Sequence, residues 1–106
     1  MGIATGVPVN FLSVKSRLDS DLSGFLDTVN YLSSAPDEVM PTVVTTSYGY
    51  DEAGLSPALM RKLCNALGGL GARGVSVLFS TGDGGVAGAR HEECTSFLPA
   101  FPASCP

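Results

Sequence analysis

The residues best suited to chemistry lie in a glycine-rich loop at residues 80–85 (STGDGG). Asp83 is its only ionisable side chain, and the glycines beside it allow a substrate to approach the backbone closely. Phosphate binding is disfavoured because the loop contains no Lys or Arg and an anionic Asp repels phosphate. The spacing alone also fits a tight Asp-Gly turn in which Asp83 satisfies local backbone amides. Both interpretations stay open at this level.

A second candidate, residues 47–49 (SYG), follows the β-branched run at 42–46 (TVVTT). If both runs are strands of one parallel sheet, the two loops border the same crevice, because ligands bind beyond the carboxyl ends of such strands. An ordinary exit from strand to loop explains the same residues equally well.

Other candidate motifs do not fit a site. Residues 69–74 (GLGARG) match the dinucleotide pattern G-x-G-x-x-G, but they close a helix and precede a strand, whereas the motif must leave a strand and open a helix. His91 is the only histidine, which excludes a multi-His metal centre. Asp19, Asp21 and Asp27 do not have calcium-loop spacing. We therefore predict no metal site and no nucleotide cofactor.

The elements that must position these loops alternate between strand and helix. Apolar, β-branched runs predict strands at 7–14, 42–46 and 75–79, the last as a central strand buried on both faces. Helical periodicity predicts one helix that begins at Ser20 or Asp21 and another that begins at Ser56 and Pro57. The order strand-helix-strand-helix-strand, followed by a Pro-rich loop, predicts a single α/β domain over residues 1–106. Its parallel sheet would be flanked by helices.

The chain contains three cysteines, so one has no partner within any internal pairing. Cys94 and Cys105 lie in the Pro-rich segment, where a disulfide could staple irregular backbone, and they are the candidate pair. Cys64 falls inside a helical pattern, and we interpret it as a small buried apolar group.

Composition limits the classes of partner. The net charge is −4 and the six Lys and Arg residues are scattered, which disfavours nucleic-acid binding. No run approaches the roughly 18 apolar residues of a membrane span, and no basic-then-apolar signal peptide is visible. Hydrophobic residues make up 44% and charged residues 15%, which indicates apolar surface that further chain would cover.

Four stretches together resemble the sedolisin family of serine-carboxyl peptidases. They are residues 2–14 (GIATGVPVNFLSV), 43–52 (VVTTSYGYDE), 70–86 (LGARGVSVLFSTGDGGV) and 97–106 (FLPAFPASCP). The resemblance implies a subtilisin-like sheet, a Ser/Glu/Asp triad and a further Asp in the oxyanion hole, which corresponds to Asp83. The S-Y-G stretch corresponds to the edge whose backbone pairs with bound peptide. The expected substrate-binding residues are Ser47, Tyr48, Gly49, Gly82 and Gly84.

This sequence also departs from the family pattern. The family's Glu and Asp lie on a helix before residues 2–14, and its nucleophilic Ser lies in a Gly-Thr-Ser segment beyond the Pro-rich stretch; neither segment occurs here. The family's calcium site lies near its carboxyl end, so this chain is expected to hold no cofactor. We expect a fragment of a secreted or acid-compartment peptidase, either an endopeptidase or a tripeptidyl-peptidase, acting on peptides or proteins and inactive alone. The alternatives are a non-catalytic peptide-binding or regulatory module and, less well supported, a small nucleotide-binding module.

Overall fold

The fold is a small parallel sheet backed by two helices, with a short antiparallel pair beside it. The computed structural model describes residues 3–15, 22–88 and 96–106. The helices are α1 (Ser23–Ser34) and α2 (Pro57–Ala72), and the strands are β1 (Val43–Thr46), β2 (Tyr50–Asp51), β3 (Ser76–Phe79) and β4 (Ala100–Phe101). Short 3-10 helices cover Asp37–Val39, Glu52–Gly54 and Gly85–Ala87. This confirms the predicted α/β class with a parallel sheet flanked by helices.

The parallel sheet pairs β1 with β3, in register from Val43 opposite Ser76 to Thr46 opposite Phe79. Helix α2 makes the crossover between them, as parallel strands require. The predicted strands at 42–46 and 75–79 are therefore confirmed to within one residue at each end. The antiparallel pair joins β2 to β4, with Tyr50 opposite Phe101 and Asp51 opposite Ala100. Neither β2 nor β4 is among the strands that the sequence predicts.

The core lies between the two helices and one face of the parallel sheet. Its buried side chains share helical spacing on α1 and α2 or flank the strands: Leu22, Val29, Leu32, Leu63, Leu67, Leu70, Val75 and Phe101. Val44, Val77 and Phe79 pack against this cluster from the sheet. Packing of these apolar stripes against each other stabilises the two helices, because short helices are only marginally stable in isolation.

The opposite face of the parallel sheet is open. Val43 and Leu78 are 54% and 55% exposed, and exposed and partly buried residues alternate along both β1 and β3. The prediction that residues 75–79 form a strand buried on both faces is therefore wrong for this chain. Alternation of this kind is the pattern of a sheet with one covered face.

Residues 7–14 do not form the predicted strand. The described segment 3–15 contains no helix or strand, and Val9 and Phe11 are 62% and 92% exposed. The β-branched residues of this run favour extended backbone, but a strand also needs a neighbour with which to share its hydrogen bonds. No strand pairs with it within the described residues.

The two helices end by different means. Helix α1 has no side-chain cap at Leu22, and the predicted capping residues Ser20 and Asp21 lie outside the described residues. Its last carbonyls instead accept hydrogen bonds from the distant Arg73 guanidinium: Leu32 O at 3.2 Å, Ser33 O at 2.9 Å and Ala35 O at 2.8 Å. The same guanidinium forms an ion pair with Asp37.

Helix α2 begins at Pro57, as predicted, although the Ser56 hydroxyl makes no capping hydrogen bond. It ends at a glycine with left-handed backbone, Gly74, whose φ is +82°. The Gly74 amide donates to Gly71 O at 2.9 Å and the Val75 amide to Leu70 O at 3.1 Å, which is a Schellman ending. The sequence 69–74 therefore closes a helix, and the structure gives it no place as a nucleotide loop.

The disulfide joins Cys64 to Cys105, with their Cα atoms 5.4 Å apart. The predicted Cys94–Cys105 pairing is therefore wrong, and Cys94 itself lies outside the described residues. Cys64 is not a buried apolar thiol but the anchor that ties the Pro-rich segment to α2. Neither helix in the described part of the chain is long and apolar enough to cross a membrane.

Candidate functional site

The two candidate loops leave the sheet side by side. Thr46 and Phe79, the last residues of β1 and β3, are register partners, and the Ser80 amide donates to Thr46 O at 3.2 Å. Residues 47–49 and 80–85 therefore both begin at the carboxyl edge of the parallel sheet. That edge is where an α/β sheet places its ligands.

The loop that carries Asp83 folds back on itself through its backbone. The Gly84 amide donates to Gly88 O at 2.8 Å, and the 3-10 helix Gly85–Ala87 lies between them. Gly82, Gly85 and Gly88 have φ values of +85°, +61° and +66°, which only glycine adopts without strain. The glycines are therefore needed for the shape of the loop.

Asp83 projects from this loop into solvent. It is exposed, and no hydrogen bond or ion pair joins its side chain to the residues that the structure describes. The turn interpretation, in which its carboxylate satisfies local amides, has no support in these contacts. The amide of its neighbour Gly84 is already used within the loop, whereas the Asp83 side chain remains accessible.

Tyr48 belongs to an aromatic cluster beside the edge. Its ring centroid lies 5.3 Å from that of Tyr50 and 6.4 Å from that of Phe25, while Phe25 in turn meets Phe79 at 5.7 Å. The Tyr48–Tyr50 and Phe25–Phe79 pairs pack edge to face, which is favourable because one ring presents its positive edge to the negative face of the other. Even so, Tyr48 is 57% exposed, so one side of its ring stays open.

An open cavity of about 210 Å³ adjoins this ring. Its lining combines aromatic rings with aliphatic side chains of the amino-terminal segment: Leu12, Val14, Gly24, Phe25, Thr28, Tyr48 and Tyr50. The Thr28 hydroxyl donates to Gly24 O at 2.8 Å. The lining exposes polar as well as apolar surface, so the cavity does not select an apolar ligand. We did not predict it, because its residues come from separate elements and share no sequence spacing.

The Pro-rich segment was also missed as part of the site. Residues 98–101 run between the two loops, with the Leu98 amide donating to Val86 O at 2.9 Å and the Glu52 amide donating to Pro99 O at 3.0 Å. The first bond reaches the segment that follows the Asp83 loop, and the second reaches the segment that follows the 47–49 loop. The one sequence signal was the pair Cys64 and Cys105, whose bond brings this segment back to α2.

Metal ligation has no support in the described residues. No group of three or more His, Cys, Asp or Glu is placed to hold an ion in the ranges 3–15, 22–88 and 96–106. His91 lies outside these ranges.

Known proteins match this chain over most of its length. It is 45% identical over 86 residues to Probable tripeptidyl-peptidase SED3 of Arthroderma benhamiae, which covers 77% of this chain and 14% of that protein. It is 43% identical over 86 residues to Probable tripeptidyl-peptidase SED4 of the same organism, again 77% and 14%. Probable tripeptidyl-peptidase SED2 of Trichophyton verrucosum is 36% identical over 99 residues, 90% of this chain and 17% of that protein. The chain belongs to the sedolisin family.

The resemblance read from the motifs is therefore confirmed, although no protein-family profile matches the chain. The chain spans about one sixth or less of the length of the curated relatives it matches, 14–17%. Membership in the sedolisin family links this segment to peptidases.

Proposed function

We propose that this chain is a segment of a serine-type, acid-acting peptidase and that Asp83 supplies the carboxyl group of its oxyanion hole. One observation carries the proposal: the Asp83 loop leaves β3 beside the 47–49 loop, with Ser80 bonded to Thr46 at the shared edge. In a chain homologous to tripeptidyl-peptidases, this edge is the natural place for a peptide substrate. Ser47, Tyr48 and Gly49 would contact the peptide backbone, and Gly82 and Gly84 would allow close approach to Asp83.

The chemistry of a carboxyl group sets the pH range. An oxyanion hole needs hydrogen-bond donors, and a carboxyl group donates only while it is protonated. A peptidase that uses a carboxyl group as such a donor should therefore be more active at acidic pH than at neutral pH. This is consistent with a secreted protein or one that works in an acidic compartment, and we propose that location for the complete protein.

The 106 residues alone should not hydrolyse peptides. An oxyanion-hole donor without a nucleophile and its base cannot complete acyl transfer. The sequence contains neither a Glu-x-x-x-Asp pair nor a Gly-Thr-Ser segment. We place the triad, and any calcium site, in parts of the protein outside these residues. The first measurement is the genomic sequence on both sides of this segment, which either contains those two motifs in frame or does not.

The test uses the complete reading frame that contains this chain. Asp83→Ala should lower kcat by about 10²–10³, the usual cost of one oxyanion-hole donor. Asp83→Asn retains a donor at every pH, so it should keep more activity than Asp83→Ala and lose the decline towards neutral pH. Glu38→Gln is the control, because Glu38 is an exposed carboxylate on the 3-10 helix Asp37–Val39. An unchanged kcat in Asp83→Ala would remove the proposal.

Two substrates separate the possible activities. One peptide has a free amino terminus and a chromogenic amide after its third residue, and the other is the same peptide acetylated. A tripeptidyl-peptidase should cleave only the first, whereas an endopeptidase should cleave both.

A second candidate is a non-catalytic peptide-binding module. The open cavity beside Tyr48 favours it, because that cavity is formed entirely within this chain. A frame without the triad motifs, together with saturable binding of extended peptides that Tyr48→Ala abolishes, would support this candidate over the peptidase.

A further inference from the structure

Gly88 marks where the Asp83 loop meets two other parts of the chain. A Cβ atom on Gly88 would lie 2.6 Å from Leu98 O and 2.9 Å from Asp51 Oδ1, distances shorter than real Cβ contacts. Its φ of +66° excludes a side chain independently. Because Gly88 O accepts the Gly84 amide, the residue that meets these two groups also closes the Asp83 loop.

Gly49 makes the equivalent contact in the other loop. A Cβ atom there would lie 2.8 Å from Phe101 O, and Gly49 does not have positive φ. The requirement for glycine at this position is therefore steric. Backbone of the Pro-rich segment approaches both loops so closely that each loop has a glycine at the contact.

Hydrogen bonds along residues 98–101 reinforce both contacts. Leu98 donates to Val86 O on the Asp83 side, while Pro99 O accepts from Glu52 on the other side. The β2–β4 ladder then pairs Asp51 with Ala100. Consecutive residues of this segment thus bond first to one loop region and then to the other.

The segment is itself anchored to the rigid part of the molecule. Phe101 is 2% exposed and belongs to the core cluster, and Cys105 is bonded to Cys64 on α2. A turn connects these two anchors, with Ser104 donating to Ala100 O at 3.0 Å. The segment therefore has a fixed position relative to the helix that carries the sheet.

We propose that residues 98–101 form a bridging segment that sets the distance between the two loops, with Gly49 and Gly88 as its positioning residues. The Cys64–Cys105 disulfide anchors the segment, which makes the geometry of the site sensitive to reduction of this bond. The catalytic consequence rests on the proposed function, whereas the mechanical coupling of the two loops does not.

Hydrogen–deuterium exchange with mass spectrometry tests the coupling in the complete protein that contains this chain. In Gly88→Ala, amide exchange should speed up roughly tenfold or more both in peptides covering 84–88 and in peptides covering 50–54, which contain β2 and the 3-10 helix that follow the 47–49 loop. Peptides covering 76–80 should not change, because the β1–β3 ladder is not part of the bridge. Gly54→Ala is the matched control, since a Cβ there meets nothing within 4 Å.

A change confined to 84–88 would overturn the proposal, and so would equal acceleration in 76–80, which indicates general destabilisation. If Gly88→Ala does not fold, the unaltered protein gives the answer under low denaturant. The amides of Glu52, Gly84 and Leu98 should then open as one unit, at a lower denaturant concentration than Ser76. Independent opening of these three amides would also overturn it.

The same variants separate this proposal from the proposed function. If both hold, Gly88→Ala and the double variant Cys64→Ala/Cys105→Ala lower kcat more than they raise KM, and Gly54→Ala changes neither. If exchange shows the coupling but Asp83→Ala retains full kcat, the bridge stands and the assignment of Asp83 fails.

Discussion

The two strand pairs of this molecule are held by different forces. The pair β1–β3 has four residues per strand and is covered by the apolar stripes of α1 and α2. The pair β2–β4 has two residues per strand and is flanked by close contacts at Gly49 and Gly88. The candidate site begins at the ends of the first pair, yet its loops are joined by the second. A site can thus depend on its weakest strands.

The largest expected effect comes from Phe101, because its side chain contributes to both strand pairs. Phe101 belongs to β4 and is 2% exposed within the core cluster. Phe101→Ala should lower the free energy of unfolding by about 3–5 kcal/mol, the cost of removing a buried aromatic ring. Urea unfolding measures this, with Phe97→Ala as the control because Phe97 is 84% exposed. A loss no greater than that of the control would mean that the antiparallel pair is independent of the core.

A smaller effect is expected from a substitution in α2, which should stabilise the helix that covers β1–β3 and leave β2–β4 unaffected. Gly68 lies within α2 and has open space where a Cβ would project, so Gly68→Ala should raise the free energy of unfolding by about 0.5–1 kcal/mol. Exchange in peptides covering 50–54 should remain as it was. Gly74→Ala should instead lower the free energy of unfolding, since Gly74 has a φ of +82°. Stabilisation by both substitutions would contradict the assigned helix ending.

The smallest effect tests the open face of the parallel sheet. Leu78 is 55% exposed, so Leu78→Thr should change the free energy of unfolding by no more than about 0.5 kcal/mol. Val77→Thr, on the covered face of the same strand, should be clearly destabilising because it places a hydroxyl against the core. Equal losses in the complete protein would show that further chain covers Leu78.

The elements that were predicted correctly have a local signature in the sequence, such as helical periodicity or a continuous apolar run. The stripe through Leu63, Leu67 and Leu70 defines a helix face, and the Pro57 start follows from the fixed φ of proline. The Asp83 loop was placed correctly because its flanking strand is continuous and apolar. The meeting of this loop with 47–49 then followed from the rule that parallel strands end at one edge.

The features that were predicted wrongly depend on contacts with residues that are distant in the chain. Within the residues that the structure describes, residues 7–14 have the propensity of a strand but no strand beside them, and Leu78 has the hydropathy of a buried residue but no covering layer. Cys105 was paired with its nearer neighbour, whereas the bond to Cys64 depends on where the tail returns. The close contacts at Gly49 and Gly88 involve backbone carbonyl oxygens and, at Gly88, the Asp51 carboxylate as well, and such contacts leave no hydrophobic pattern to find.

The Arg73 side chain has a consequence for the order in which the chain acquires structure during synthesis. Its guanidinium completes the end of α1 but lies 38 residues further along the chain than Ala35, the last of those carbonyls. Leu22, the first described residue before α1, supplies no side-chain cap, and a helix of 12 residues is marginal in water by itself. As the polypeptide leaves the ribosome, α1 therefore emerges as fluctuating chain and becomes a stable helix only after α2 and Arg73 have followed it out.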